Sequence, residues 1–346
     1  MLEGLLGFIV AFLASCGLTV PIRRIAWQWG FVDVPNARKI HHSPTPLLGG
    51  VAIYLGTVLA LIGFVESPAS GQIFGILAAS TLLLIVGILD DRHLLHHQIK
   101  LFVAMPLAAV MLVVMGVKTH VGSAFLSAPL GPIVDIGLTI FWVVGTTASY
   151  NIFDHMDGLA SGITAIASAF FAILALREGQ VWLGTLALAL LGSSLGFLLW
   201  NFNPAKIFMG DGGAMFLGFM VATLGLELRL HHMPDTTSWI VPELLLIVPL
   251  FDTTLVSISR ARRGLIPFAS PGKDHTAHRL ANAGLGQRGA VLALYSVGIA
   301  SGLFALLVSG TPAALFEGLA VVVALAALAA VFWLERFPYE RQSVQH

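Results

Sequence analysis

The chain is a succession of apolar runs, each long enough to cross a lipid bilayer. We read eleven, at 2–22, 49–65, 72–89, 101–117, 133–148, 162–176, 181–199, 214–228, 239–258, 290–308 and 314–334. A bilayer core takes about 20 residues of helix. Within it every backbone N–H and C=O must be paired inside the segment, which leaves helices as the way for such runs to cross. The pattern predicts an all-α polytopic membrane protein forming a single domain over residues 1–346. Only 10% of the residues are charged, against about 25% in soluble domains, so the length does not imply two soluble domains.

Orientation follows from charge. Lys and Arg accumulate on cytoplasmic loops. With the N-terminus outside, the outer segments hold only Lys118, Arg177 and Arg229, and the other fifteen of the 18 Lys and Arg face inward. The first run, Leu5 to Val20, is preceded by Glu3 and followed by Arg23 and Arg24. A signal peptide carries its positive charge in front, so this run is read as a first span. The long loops are the inner ones, 23–48, 90–100, 149–161, 200–213 and 259–289, and the work of the protein is expected there. Zero net charge gives no bulk attraction to nucleic acid, and the single cysteine, Cys16, allows no internal disulfide.

Four inner segments concentrate ionisable residues. The third span ends in Asp90-Asp91, two carboxylates at the negative pole of a helix. Folding does not favour that arrangement, and a cation or hydrogen-bond donors would relieve it. Asn151, Asp154 and Asp157 share the fourth loop. Asp154 and Asp157 would share one face of a helix, and capping of the sixth span accounts for one of them, not both. Asp211 is flanked by Gly210, Gly212 and Gly213 just before a span, where glycines let a ligand approach the backbone and a helix N-terminus offers N–H groups to an anion. His275 and His278 lie beside Lys273 and Arg279. The Cys and His spacings of zinc sites are absent. Asp252 lies about six residues inside its span, where a carboxylate is costly and a functional candidate.

Each cluster alone has a bland reading as a cap or a solvated turn. Together they place carboxylates and cations on one face of a chain with few charges. Mg²⁺ takes one or two carboxylates plus substrate phosphates, and Arg260, Arg262, Arg263, Lys273 and Arg279 can take the remaining phosphate charge. This is an inventory for phosphoryl transfer between a diphosphate and a lipid.

The strings DVPNARKIHHSPTPLLGG (33–50), Asp90-Asp91, Asn151 to Leu159, MGDGGAMFLGF (209–219), PLFDT (249–253) and HTAHRL (275–280) resemble, in order, the signatures of the polyprenyl-phosphate N-acetylhexosamine-1-phosphate transferases (glycosyltransferase family 4). The resemblance covers roughly residues 30–280 and is closest to the undecaprenyl-phosphate GlcNAc-1-phosphate branch. It implies transfer of a sugar-1-phosphate from a UDP-N-acetylhexosamine to undecaprenyl phosphate, with release of UMP. It also implies Mg²⁺ as cofactor, with Mn²⁺ as a substitute, a bacterial cytoplasmic membrane location with the site facing the cytoplasm, and a role in starting a cell-envelope polysaccharide. A homodimer is compatible with it.

By the same resemblance, Asp211, with Asp91 and Asp154, would hold the metal. Asp90 or Asp91 would sit beside the lipid phosphate and one would take its proton. Asn151, Asp154 and Asp157 would serve the nucleotide or the metal's surroundings. His275, His278 and Arg279 would contact the diphosphate or sugar, and Lys39 and His41 the lipid phosphate. The sequence departs from the pattern at Ala148 (often Asn), His155 (often Gly), Ala214 (often Ser) and Ala277, the inner member of a His-x-His-His motif. These departures bear on sugar identity more than on reaction type.

A transporter or channel would place acids near span centres, whereas the clustered Asp residues lie at loop ends. A CDP-alcohol phosphatidyltransferase needs further spaced Asp residues after Asp157-Gly158, and none occurs before Asp211. No Walker A loop is present.

Overall fold

The computed structural model describes residues 2–35, 43–65, 70–95, 97–231, 233–266 and 272–337. Lys39 and His41 lie outside the described residues. The chain is all-α apart from a short antiparallel pair in which Val32 faces Pro46 and Asp33 faces Thr45. The helices are α1 (Leu2–Gln28), α2 (Gly49–Phe64), α3 (Ser70–Asp91), α4 (His97–Ile99), α5 (Met105–Val114), α6 (Val121–Phe125), α7 (Leu130–Phe153), α8 (Leu159–Arg177) and α9 (Val181–Asn201). They continue as α10 (Gly210–Glu227), α11 (Asp235–Ser238), α12 (Ile240–Leu245), α13 (Ile247–Arg262), α14 (Thr276–Leu280), α15 (Gly286–Val308) and α16 (Ala313–Leu334). Among the described residues, seven helices are long and apolar enough to cross a membrane, with shorter apolar helices at Gly49–Phe64 and Lys100–Val114. This is an all-α membrane protein.

Two expected spans differ in form. The run at 239–258 is divided into α12 and α13, which meet at Leu246. Pro249, just past the join, lacks the N–H that a continuous helix would bond to the Leu245 carbonyl. The run at 101–117 begins with a π-helical turn, Lys100–Ala104, before α5. Wider helical turns of this kind recur at functional sites, and here the turn carries Lys100.

The core is organised around α10. Every residue from Gly212 to Leu226 is buried, as expected of a helix that is apolar on all sides. It packs against α3, α7 and α2. Its glycines make that packing close. A Cβ on Gly87 of α3 would stand 2.3 Å from the Gly212 Cα, and one on Gly50 of α2 would stand 2.3 Å from the Gly213 Cα. Both distances are impossible for real side chains, so the three helix backbones meet directly. The Gly-Asp-Gly-Gly string is therefore a packing device at Gly212 and Gly213. The close neighbour of those glycines is another helix rather than a ligand.

Candidate active site

The three helix contacts fix where Asp211 stands. It lies in the first turn of α10, and α3 delivers Asp90 and Asp91 beside it. The Asp211 N–H donates to Asp91 Oδ1 at 3.0 Å. Gly210 has φ +73°, and a Cβ there would stand 2.4 Å from Asp91 Oδ2. Glycine is needed for both reasons. Asp91 thus rests on the positive end of α10, which offsets its position at the negative end of α3. Its other oxygen, Oδ2, is buried and has no partner among the described residues.

Lys100 completes the cluster. Its Nζ lies 2.6 Å from Asp90 Oδ2 and 2.6 Å from Asp211 Oδ2. Sequence reasoning counted Lys100 only as an inward charge. A lone Lys at the head of an apolar run carries no other signal.

The fourth loop is not helical as its three-residue spacing suggested. Asp154 follows the last turn of α7, and Asp157 lies in the turn before α8. Burial, and then the charges of Asp211 and Asp157, push the Asp154 carboxyl up to about 7. Asp157 serves the architecture of the loops. Its Oδ2 accepts from Asn203 Nδ2 and from the Ala205 N–H, both at 2.9 Å. It thereby braces the loop that leads to Asp211. Asn201 assists, donating from Nδ2 to the Ile207 carbonyl at 3.1 Å and accepting the Gly158 N–H at 3.1 Å. Asn151 keeps a buried Nδ2 with no partner among the described residues.

A second cluster adjoins the first through the Asp154-His155 dipeptide. The His155 ring packs against His275 at a centroid distance of 4.0 Å and against His278 at 4.6 Å. Asp252, fully buried, faces His275 Nδ1 through Oδ2 at 2.7 Å and accepts the Thr276 N–H through Oδ1 at 2.6 Å. Burial, followed by the neighbouring His275 and His278, lowers the basicity of His155 well below that of a free imidazole.

The basic residues of the large loop divide. Arg260 grips Asp274 through two hydrogen bonds, of 2.8 and 3.1 Å, and Arg263 joins them. Burial works against the ionised Asp274 carboxylate, but these two arginines and His275 hold its pKa down at about 2. Arg262 is largely exposed and lies 3.7 Å from Glu335. Arg279, expected on the diphosphate or sugar, is turned inward. It is fully buried and donates to the Asp274 carbonyl, the Leu334 carbonyl, Ser259 Oγ and Glu335 Oε1. A guanidinium held by four acceptors ties the histidine segment to the end of α16.

Among the described residues one group of three, His155, Asp252 and His275, has its ligand atoms gathered closely enough to share a cation, and the carboxylates of the first cluster are not gathered in that way. Asp91, Asp154 and Asp211 offer carboxylate oxygens, the choice of a hard ion such as Mg²⁺. The unpartnered Asp91 Oδ2 fits that use. His155, Asp252 and His275 have ligand atoms within 4.8 Å of one another, a mixed nitrogen and oxygen set of the kind transition metals favour.

An acidic cluster at the meeting of three helix ends in an all-α membrane protein suits chemistry on a charged lipid. The chain matches the model of glycosyl transferase family 4 over residues 73–229. It is 37% identical to a probable undecaprenyl-phosphate N-acetylglucosaminyl 1-phosphate transferase of Bacillus subtilis (strain 168), over 86% of this chain and 83% of the relative. It is 34% identical to the decaprenyl-phosphate N-acetylglucosaminephosphotransferase of Mycolicibacterium smegmatis, over 94% and 86%. It is 30% identical to the undecaprenyl-phosphate alpha-N-acetylglucosaminyl 1-phosphate transferase of Yersinia pestis, over 81% and 77%. The chain belongs to glycosyl transferase family 4 and is a transferase.

Proposed function

We propose that the protein transfers N-acetylglucosamine-1-phosphate from UDP-N-acetylglucosamine to undecaprenyl phosphate or a similar polyprenyl phosphate, releasing UMP. The observation that carries this reading is the convergence of Asp90 and Asp211 on Lys100, with Asp91 accepting the Asp211 N–H beside them. The names of the relatives supply the sugar and the lipid. The excess of Lys and Arg on the inner segments supports an eleven-span topology with this site on the cytoplasmic side of a bacterial membrane, where nucleotide sugars are available.

In the proposed reaction a non-bridging oxygen of the lipid phosphate forms a bond to the β-phosphorus of the nucleotide sugar. The bond from that phosphorus to the bridging oxygen breaks, and UMP leaves. Asp91, Asp154 and Asp211 would hold Mg²⁺, which when bound neutralises phosphate charge. Lys100 adds a fixed positive charge, and preorganised charge of this kind is the main source of rate in phosphoryl transfer. Asp90 or Asp91 would take a proton from the lipid phosphate, a modest demand because the second pKa of a phosphate monoester is about 6. Asn151 would serve the nucleotide, and His275 and His278 the diphosphate or sugar. Asp90 is held by Lys100 and Asp91 by the start of α10. These contacts suit charge holding better than formation of a phosphoryl-enzyme, and they favour direct attack.

The test is a panel of UDP-sugars with undecaprenyl phosphate and Mg²⁺, read as UMP release. Release with UDP-N-acetylglucosamine that requires the lipid phosphate is expected. Absence of release with every sugar would overturn the function, and a phosphorylated protein formed from the UDP-sugar alone would overturn direct attack.

A further inference from the structure

Two departures from the family pattern, distant in sequence, meet in space. The inner histidine of the His-x-His-His motif is replaced by Ala277, which is fully buried. A histidine stands instead at position 155, where glycine is frequent. Its ring lies against both remaining members of the motif, at 4.0 Å from His275 and 4.6 Å from His278, tilted by 34° and 37°. The motif of one loop thus regains a third imidazole from another.

The environment separates His155 from its neighbours. Both Asp252 oxygens are engaged, by His275 Nδ1 and by the Thr276 N–H. His275 Nε2 faces Arg260 at 3.4 Å. A metal shared by His155, Asp252 and His275 would have to break this closed network. The two nitrogens of His155 are different: both are buried, Nε2 lies 3.9 Å from Asp252 Oδ2, beyond hydrogen-bond reach, and neither has a hydrogen-bond partner among the described residues. Leaving such groups unpaired is costly, and an unpaired donor beside a catalytic centre is explained by a ligand that completes it. Hydrogen bonds of this kind often close only in the substrate complex.

We propose that His155 is a further substrate-binding residue, whose ring N–H serves the sugar diphosphate in place of the imidazole absent at position 277. This rests on the transferase reading above. An aromatic ring without nitrogen tests it, because phenylalanine keeps the packing against His275 and His278 and removes only the donor. Full-length wild type, His155→Phe and His155→Gln are compared in detergent with UDP-N-acetylglucosamine and undecaprenyl phosphate, with thermal unfolding measured in parallel. Loss of one hydrogen bond to a charged ligand predicts that His155→Phe lowers kcat/KM for the nucleotide sugar by about tenfold or more. The KM for the lipid and the unfolding temperature should stay near wild type, and His155→Gln, which retains an N–H, should recover part of the loss. His155→Phe within twofold of wild type would overturn the proposal, as would equal losses for both substrates with a lowered unfolding temperature. A wild type that releases no UMP would overturn the transferase reading itself.

Discussion

Lys100 Nζ lies 2.6 Å from Asp211 Oδ2, and the same ammonium lies 2.6 Å from Asp90 Oδ2. One cation thus joins the end of α3 to the start of α10, and the π-helical turn Lys100–Ala104 presents it there. Lys100→Met should lower turnover by about 10² or more, the usual cost of removing a preorganised charge from a transition state. Insertion and expression should persist, but the unfolding temperature should fall, because the cluster is largely buried and loss of the ammonium leaves two carboxylates without their cation. UMP release by the purified variant at saturating substrates checks this; turnover near wild type would remove Lys100 from the mechanism.

The carboxylates themselves give the sharpest loss. Asp211→Asn and Asp91→Asn should each abolish transfer while the protein still inserts. Full activity in both variants would sink the metal-site reading.

Close packing at Gly87 and Gly50 makes a prediction that alters no charged group. A methyl group at either position would meet the backbone of α10 at 2.3 Å, so the helix must move. Gly87→Ala should cost about 1–3 kcal/mol of stability, the range for overpacked cores. It should also displace Asp211 from Asp91, with a loss of turnover larger than the loss of folded protein. Comparing kcat with the folded fraction at one temperature distinguishes the two effects.

The sequence made the helices legible because a bilayer demands long unbroken apolar runs. Asp90, Asp91 and Asp211 stand out because carboxylates are few in so apolar a chain, and His275 and His278 because Lys273 and Arg279 flank them; which of these groups share a site was implied by the family resemblance rather than by composition. Lys100 and His155 were not legible in their roles. Lys100 owes its position to a π-helical turn that leaves no mark in composition, and His155 faces a motif more than a hundred residues away. The inward turn of Arg279 was hidden for a related reason: its acceptors, Leu334 and Glu335, lie at the far end of the chain.

Arg279 therefore carries a structural prediction. Removing one partner from a buried, hydrogen-bonded charge pair costs about 3–5 kcal/mol. Arg279→Ala should lower the unfolding temperature strongly. Glu335→Gln, which removes the charge of one acceptor and leaves the others, should do so less. If Arg279 instead held the substrate diphosphate, Arg279→Lys would raise the KM for the nucleotide sugar at unchanged stability, and measuring both quantities separates the roles.

Asp154 sets function against stability through pH. Its carboxyl is pushed up to about 7, first by burial and then by Asp211 and Asp157, from an unfolded value of about 3.9. Ionisation is thus easier in the unfolded chain than in the folded one. The resulting penalty is absent below about pH 4, grows as the pH rises towards 7, and is constant above it. Asparagine mimics the neutral form and escapes the penalty. Asp154→Asn should therefore unfold at a higher temperature than wild type at pH 8, and the difference should vanish at pH 4. The same variant should lose transfer activity, because a neutral amide is a poor ligand for Mg²⁺ beside phosphate. Mg²⁺ added with UDP-N-acetylglucosamine should narrow the gap at pH 8, since a cation that binds the ionised carboxylate stabilises the folded wild type. Thermal unfolding of both proteins across pH, with and without these ligands, reads every part of this expectation. A stability difference independent of pH would show that Asp154 is ionised at no cost in the folded protein.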